Sequence, residues 1–229
     1  MRVSREQATE NRARILEAAA RLFREKGFEG VGVDGIMEEA GLTHGGFYGH
    51  FASKADLAEQ ACAAAVDRSR RRWETLAEGR PEAALAEIVQ SYLSKRHRDD
   101  PGYGCVLAAL GSEVARRSDA VRTTVSEGAR AQLAILERVA VGDSTAERRR
   151  QAIATLSGLV GAMVLARLVD DAALSDEILT AAAAAFGGAR GQGRGKSNAA
   201  RKAKGRRGAQ PEGTARRHAR GNAVRSRAV

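Results

Sequence analysis

Aromatic side chains make up only 4% of this 229-residue chain, whereas alanine is abundant. Strands draw on aromatic and β-branched residues, so this scarcity argues against a β fold and for helices. The only two cysteines, Cys62 and Cys105, cannot build a disulfide framework, and their spacing is not a zinc pattern. A reducing compartment is the simple expectation. The four histidines, His44, His50, His97 and His218, lack metal-ligand spacing. No glycine-rich loop lies between a strand and a helix, and no Ser/His/Asp arrangement stands out, so neither an enzyme nor a cofactor nor a metal site is expected. No apolar run is read as reaching the ~18 residues that span a bilayer. Met1 to Asn11 is polar, without the apolar stretch of a secretion signal. The expectation is a cytoplasmic protein with no membrane partner.

What is present is helical patterning and a lopsided charge. Residues 187–229 hold 13 Lys/Arg and one acid, Glu212, whereas residues 1–186 hold 25 Lys/Arg against 27 acids. The net charge of +10 therefore sits in a Gly/Arg/Lys/Ala tail with nothing large to bury, which is expected to be disordered. Such a tail suits a polyanion such as nucleic acid, and equally a plain solvated segment.

Ahead of the tail the sequence predicts nine helices and no strand. Ser4 and Gln7 read as a capping box for a helix whose face carries Ile15, Leu16, Ala19, Leu22 and Phe23, closed by Gly27. Short helices follow over Val33 to Ala40 and His44 to His50, the second capped by Thr43. Ser53 with Asp56 opens a long one from Lys54 to Glu78. Pro81 reads as the first residue of a helix running to Arg98. The turn Asp99-Asp100-Pro101-Gly102 then leads into Cys105 to Arg116. The last three helices are expected over Ser118 to Val141, Ser144 to Val169 and Leu174 to Phe186.

The pair of short helices carries the chemistry. Joined at Gly41-Leu42-Thr43, they fit a helix-turn-helix, with Gly41 suited to a left-handed backbone and Leu42, Phe47 and Phe51 facing inward. The opposite face presents Thr43, His44, Gly45, Tyr48 and Gly49, small or hydrogen-bonding groups of the kind that enter a major groove. An ordinary helical hairpin would look much the same on these grounds alone.

Ile15-Leu16-Glu17-Ala18-Ala19, Leu22-Phe23, Gly27-Phe28 and the run from Gly41 through Phe47-Tyr48-Gly49-His50-Phe51 to Lys54 resemble the DNA-binding domain of TetR/AcrR-type regulators. The resemblance is close over about residues 9–69 and continues by helix order to Phe186. It implies an all-α protein: a three-helix DNA-binding domain at 9–69, a six-helix ligand-binding and dimerisation domain at 70–186, and the tail. It implies a homodimer that binds palindromic, double-stranded operator DNA, with repression as the family default. Tyr48, His50 and Lys54 would meet phosphates, and Thr43 and His44 phosphates and base edges. Gly32, Val33, Gly45 and Gly46 fall at further contact positions. Gly32 and Gly46 depart from the Thr or Ser usual there, and Gly45, Gly46 and Gly49 together weaken the recognition helix. Arg2 and Arg5 are candidates for minor-groove contacts.

By the same resemblance the last two helices dimerise, and Ile153, Leu156, Leu159, Val160, Met163, Val164, Leu174, Ile178, Leu179 and Phe186 offer more apolar surface than one bundle edge needs. Gly158 and Gly161 would permit close helix approach. The middle helices would enclose a cavity for an unidentified effector, with Trp73, Tyr92, Tyr103, Leu107 and Leu110 as candidate walls. Cys105, at a helix start, is either a thiol that senses electrophiles or oxidants, as in some family members, or a small buried hydrophobe. Cys62 reads as core. A tail-driven protein that coats DNA without sequence preference is the rival reading.

Overall fold

The structure, a computed structural model, describes residues 4–117 and 119–187. The expected disorder of the tail beyond Gly187, and the role considered for Arg2, lie outside the described residues. Among those residues there are nine α-helices, two 3-10 turns and no strand. The helices are α1 (Arg5–Lys26), α2 (Val33–Glu39), α3 (Lys54–Gly79), α4 (Ala84–Tyr92), α5 (Lys95–Asp99), α6 (Val106–Ala115), α7 (Ala120–Val139), α8 (Thr145–Leu168) and α9 (Ala172–Phe186). The 3-10 turns cover His44–Gly49 and Pro101–Tyr103.

Local capping sets most of the boundaries. The hydroxyls of Ser4, Ser53 and Ser144 accept from the amides of Gln7, Asp56 and Glu147 at 3.0–3.2 Å. Asp56 and Glu147 reach back to the amides of Ala52 and Asp143, completing reciprocal boxes. Gly27 ends α1 at φ +77°, and the next amide, of Phe28, donates to the Glu113 carboxylate at 2.9 Å. An α6 side chain thus holds the end of α1.

Three expectations need correction. The helix expected from Pro81 to Arg98 is two helices: Pro81 lies in a turn closed by Ala83 N–H to Arg80 C=O, and the chain breaks after Tyr92. Ser94 explains the break. Its hydroxyl caps α5 at His97 N–H and donates to Ser91 C=O, offering the backbone an alternative to continuing the helix. Helix α7 starts at Ala120, because Asp119 is extended and takes the first-turn amides of Arg122 and Thr123 on its backbone carbonyl, while its carboxylate binds Arg117. Finally, α8 holds an 18-residue window of mean hydropathy 1.5, enough by length and composition to cross a membrane. Thr155, Ser157, Gly158 and Gly161 break the visible apolar run without lowering its average much. One side of α8 is packed within this chain through Leu156, Leu159 and Met163.

Two apolar cores form along the bundle. The first joins α1, α2, the His44–Gly49 turn and the start of α3 to Val106, Leu110, Val114, Val121 and Val125. The second gathers Trp73, α4, the end of α7, α8 and Leu179. Helix α7 runs along α3, and the approach is tight at Gly128, where a Cβ would stand 2.3 Å from a Val66 methyl.

Candidate nucleic-acid interface and effector cavity

The turn between α2 and the His44–Gly49 segment is built on Gly41, at φ +66°, where an L side chain would be strained. Gly41 N–H donates to Glu38 C=O and Leu42 N–H to Met37 C=O, at 2.9 and 2.8 Å, satisfying the last carbonyls of α2. Leu42 is half-buried against the first core. Phe47 is fully buried (0% exposed), and its ring stacks near that of Phe51 at 5.9 Å between centroids. This anchor turns the remaining side chains outward.

The expected α-helix over His44 to His50 is a 3-10 turn ending at Gly49, closed by Gly46 N–H to Thr43 C=O and His50 N–H to Phe47 C=O. Three glycines in six residues lack the side-chain packing that favours a full α-helical turn, and a short 3-10 piece is the usual outcome. Thr43 begins the segment, but its hydroxyl makes no capping bond, so it faces outward uncommitted among the described residues. Tyr48 is 68% exposed, its ring edge-on to Phe47 and within 6.2 Å of His44. Gly45, Gly46 and Gly49 are exposed, and nothing lies within 4 Å of a Cβ placed on Gly45 or Gly49. Gly32, also with open space, precedes α2 without a side-chain cap, and Val33 is half-buried on the first core. His50 is half-buried. Lys54 opens α3, and its Nζ lies 3.8 Å from the Glu29 carboxylate. Arg5 is exposed at the start of α1.

Two acids enter this face that the sequence pattern did not flag. Asp34, in the first turn of α2, pairs with His44 Nδ1, and Glu29 pairs with Lys54. Both pairs bridge separate elements, so no helical spacing reveals them.

A second site opens between α1, α3, α4 and the Pro101–Tyr103 turn: a cavity of about 330 Å³. Trp73, Tyr92, Tyr103 and Cys105 are among the residues that line it. Leu107 and Leu110 are not. Leu107 packs between the two cores and Leu110 is buried in the first, because α6 turns this face away from the cavity. Cys105 is buried directly before α6, and its amide donates to His97 Nε2 at 2.9 Å. His97 Nδ1 sits 2.6 Å from Tyr92 C=O. A carbonyl can only accept, so Nδ1 carries the proton and the ring is neutral. Burial pushes its pKa down to about 4. Cys62 lies in the first core, its thiol pushed up to about 12 by burial, in keeping with a packing role. His97 and the arginines around the cavity, Arg24 foremost, were missed by sequence reasoning.

An exposed tip held on a buried aromatic after a tight glycine turn is the arrangement of a helix-turn-helix. Residues 15–61 match the family model for bacterial regulatory proteins of the tetR family. The uncharacterised HTH-type transcriptional regulator YfiR of Bacillus subtilis is 32% identical over 94 residues, 41% of this chain and 44% of that protein. The HTH-type transcriptional regulator TtgR of Pseudomonas putida is 42% identical over 59 residues, 26% of this chain and 28% of its own. The chain thus spans less than half the length of these relatives. In fold it is similar to a TetR-family regulator from Agrobacterium tumefaciens, with a TM-score of 0.67 and 20% identity over 78% of this chain and 98% of that one. It is likewise similar to the reduced form of NemR from E. coli, with a TM-score of 0.65 and 23% identity over 77% and 94% of the two chains. Residues 15–61 are thus similar to the tetR-type regulatory domain, and the described residues share the fold of TetR-family structures.

Proposed function

We propose that the chain is a homodimeric, cytoplasmic transcriptional regulator that binds a near-palindromic operator and leaves it when a small effector or a cysteine modification acts on the cavity. The observation that carries this reading is the tip at Thr43–Gly49, where an exposed Tyr48 stands beside a fully buried Phe47. A rigid anchor with small or hydrogen-bonding outward groups is what close approach to a groove requires.

In this reading residues 9–69 bind DNA, residues 70–186 bind effector and dimerise, and residues 187–229 add non-specific affinity. Tyr48, His50 and Lys54 hold phosphates, Lys54 aided by the positive N-terminal end of the 26-residue α3. Thr43 and His44 read bases, while Gly32, Val33, Gly45 and Gly46 let the backbone come close. The test is selection from a random-sequence DNA pool at near-physiological salt. One enriched palindrome with half-sites about one turn apart, roughly 34 Å, is expected. Tight binding without enrichment would replace the reading with a DNA-coating protein.

The cysteine arm places modification at Cys105, whose position on the cavity wall supports it. The sulfur adds to the β-carbon of an activated alkene, the carbon–carbon π bond opens, and the thiol's proton ends on the neighbouring carbon. Full alkylation of Cys105, checked by mass spectrometry, is expected to release operator DNA. Unchanged binding would remove this arm and leave the effector arm standing.

A further inference from the structure

The cavity has an uneven charge inventory. Arg24, Arg68, Arg72 and Arg96 line it against one carboxylate, Asp100. None of the four arginines forms an ion pair among the described residues. Arg68, Arg72 and Arg96 are exposed, and Arg72 reaches Ser91 Oγ at 2.7 Å.

Arg24 is different, being only 6% exposed. Its Nε and Nη2 donate to the Gly102 carbonyl, while Nη1 is buried with no partner. Tyr92, on the same cavity, is 4% exposed, and its hydroxyl is also buried without a partner. Buried polar groups in folded proteins are nearly always satisfied, and a buried cation is normally met by a counterion. Here neither condition holds. Burial and the like charge of Arg68 push the Arg24 pKa down to about 10, outweighing the weaker opposing influence of Glu25. Beside these groups the Trp73 ring packs edge-on against Tyr92, with centroids 6.0 Å apart, giving one wall an apolar character. A volume of about 330 Å³ is at the lower end for small-molecule sites.

We infer that this cavity binds a small organic anion, its acid group compensating Arg24 with Arg68 and Arg72 at the entrance, and its apolar body against Trp73 and Tyr92. The inference rests on the reading of the chain as an effector-responsive regulator and supplies the effector's chemical class. It also supplies a route to the DNA-facing tip. Arg24 belongs to α1, which packs on α2 and, through Arg24, on the Pro101–Tyr103 turn. An acid group on Nη1 adds a second partner to the guanidinium that already holds Gly102 C=O, so occupancy changes how firmly α1 is tied to that turn.

Isothermal titration of the full chain with 2-naphthoate and its neutral isostere 2-naphthamide tests this. The acid is expected to saturate one site per chain and to bind about tenfold more tightly than the amide, as charge-assisted pairing predicts. Arg24→Gln can fail to fold, so the decisive variant is Arg68→Gln with Arg72→Gln, at exposed positions. It is expected to weaken naphthoate by about tenfold without lowering the melting temperature of the free chain. Equal affinity for acid and amide, indifference to the arginines, or no saturable binding at millimolar naphthoate overturns the inference. Competition by inorganic phosphate as strong as by naphthoate overturns its organic part. Operator binding measured on the same preparation keeps the two readings apart. A chain that binds operator but ignores naphthoate loses the anion site alone. One that binds naphthoate through its arginines but selects no DNA loses the regulator reading alone.

Discussion

His97 is locked in one protonation state by two neighbours, Tyr92 C=O on Nδ1 and Cys105 N–H on Nε2, and a second proton would remove the acceptor that Cys105 uses. Burial is the main cause of its pKa of about 4, and Arg167 and Arg72 add to it against the opposing bond to Tyr92. In the unfolded chain the ring titrates near 6.5. Between those values the unfolded state takes up a proton and the folded state does not. This contribution is therefore fully present above pH 6.5 and is lost as pH falls toward 4. By linkage, the chain is expected to lose about 2 kcal/mol between pH 7 and pH 5 through this residue, and His97→Gln is expected to lack that slope. Urea denaturation at the two pH values checks it; parallel slopes would mean that His97 is not held neutral. This residue also marks how far the sequence could be read. Trp73, Tyr92 and Cys105 were legible as cavity residues because large or reactive side chains stand out in an Ala-rich chain. Arg24 and His97 were not, because their roles come from partners in other elements: Gly102 lies 78 positions from Arg24, and an arginine on a helix reads as solvated surface.

At the scale of elements, nearly every helix was legible from caps and apolar spacing, and the exceptions share a cause. Where Ser94 or a run of glycines offers the backbone a competing local geometry, periodicity carries on through the break and hides it. The His44–Gly49 turn makes this testable. Gly45 and Gly49 have no left-handed φ, and open space surrounds a Cβ at either position. Alanine at each is therefore expected to stabilise the chain by about 0.4–1 kcal/mol, mainly by restricting the unfolded state; a loss of stability in urea would show that the segment needs glycine's backbone freedom. Gly158 is the opposite case. A Cβ there would stand 2.1 Å from the Phe186 ring, the contact that seats the end of α9 on α8. Gly158→Ala is expected to destabilise by roughly 1–3 kcal/mol, as overpacking does. In a Phe186→Ala background the same change is expected to cost little, because the obstructing ring is gone. If the penalty persists there, the crowding lies elsewhere along α8.

For the whole molecule, the question is what covers the outer side of α8 and α9. Ile153, Val164, Leu165 and Leu168 of α8, with Leu174 of α9, are exposed at 42–74%, although α8 already packs its other side against α7 and α9. A cluster of aliphatic side chains left open on helices that are otherwise well packed is the mark of an interface. Gly161, with open space around it, would let a second α8 approach closely. This was legible in the sequence only as a surplus of apolar residues; which of them face outward depended on the register of α8 against α7. If two copies meet here, two recognition tips act as one bivalent reader, and operator affinity depends on the pairing. Leu165→Glu with Leu168→Glu places two charges in that face, at positions where a monomer can solvate them. The variant is expected to keep its helical circular-dichroism spectrum, to sediment as a monomer, and to lose operator affinity on the order of a hundredfold or more, the scale set by linking two binding modules. A dimer that survives both charges would move the interface elsewhere. A monomer with undiminished operator affinity would mean that one tip suffices, and the palindromic-site reading would then fall.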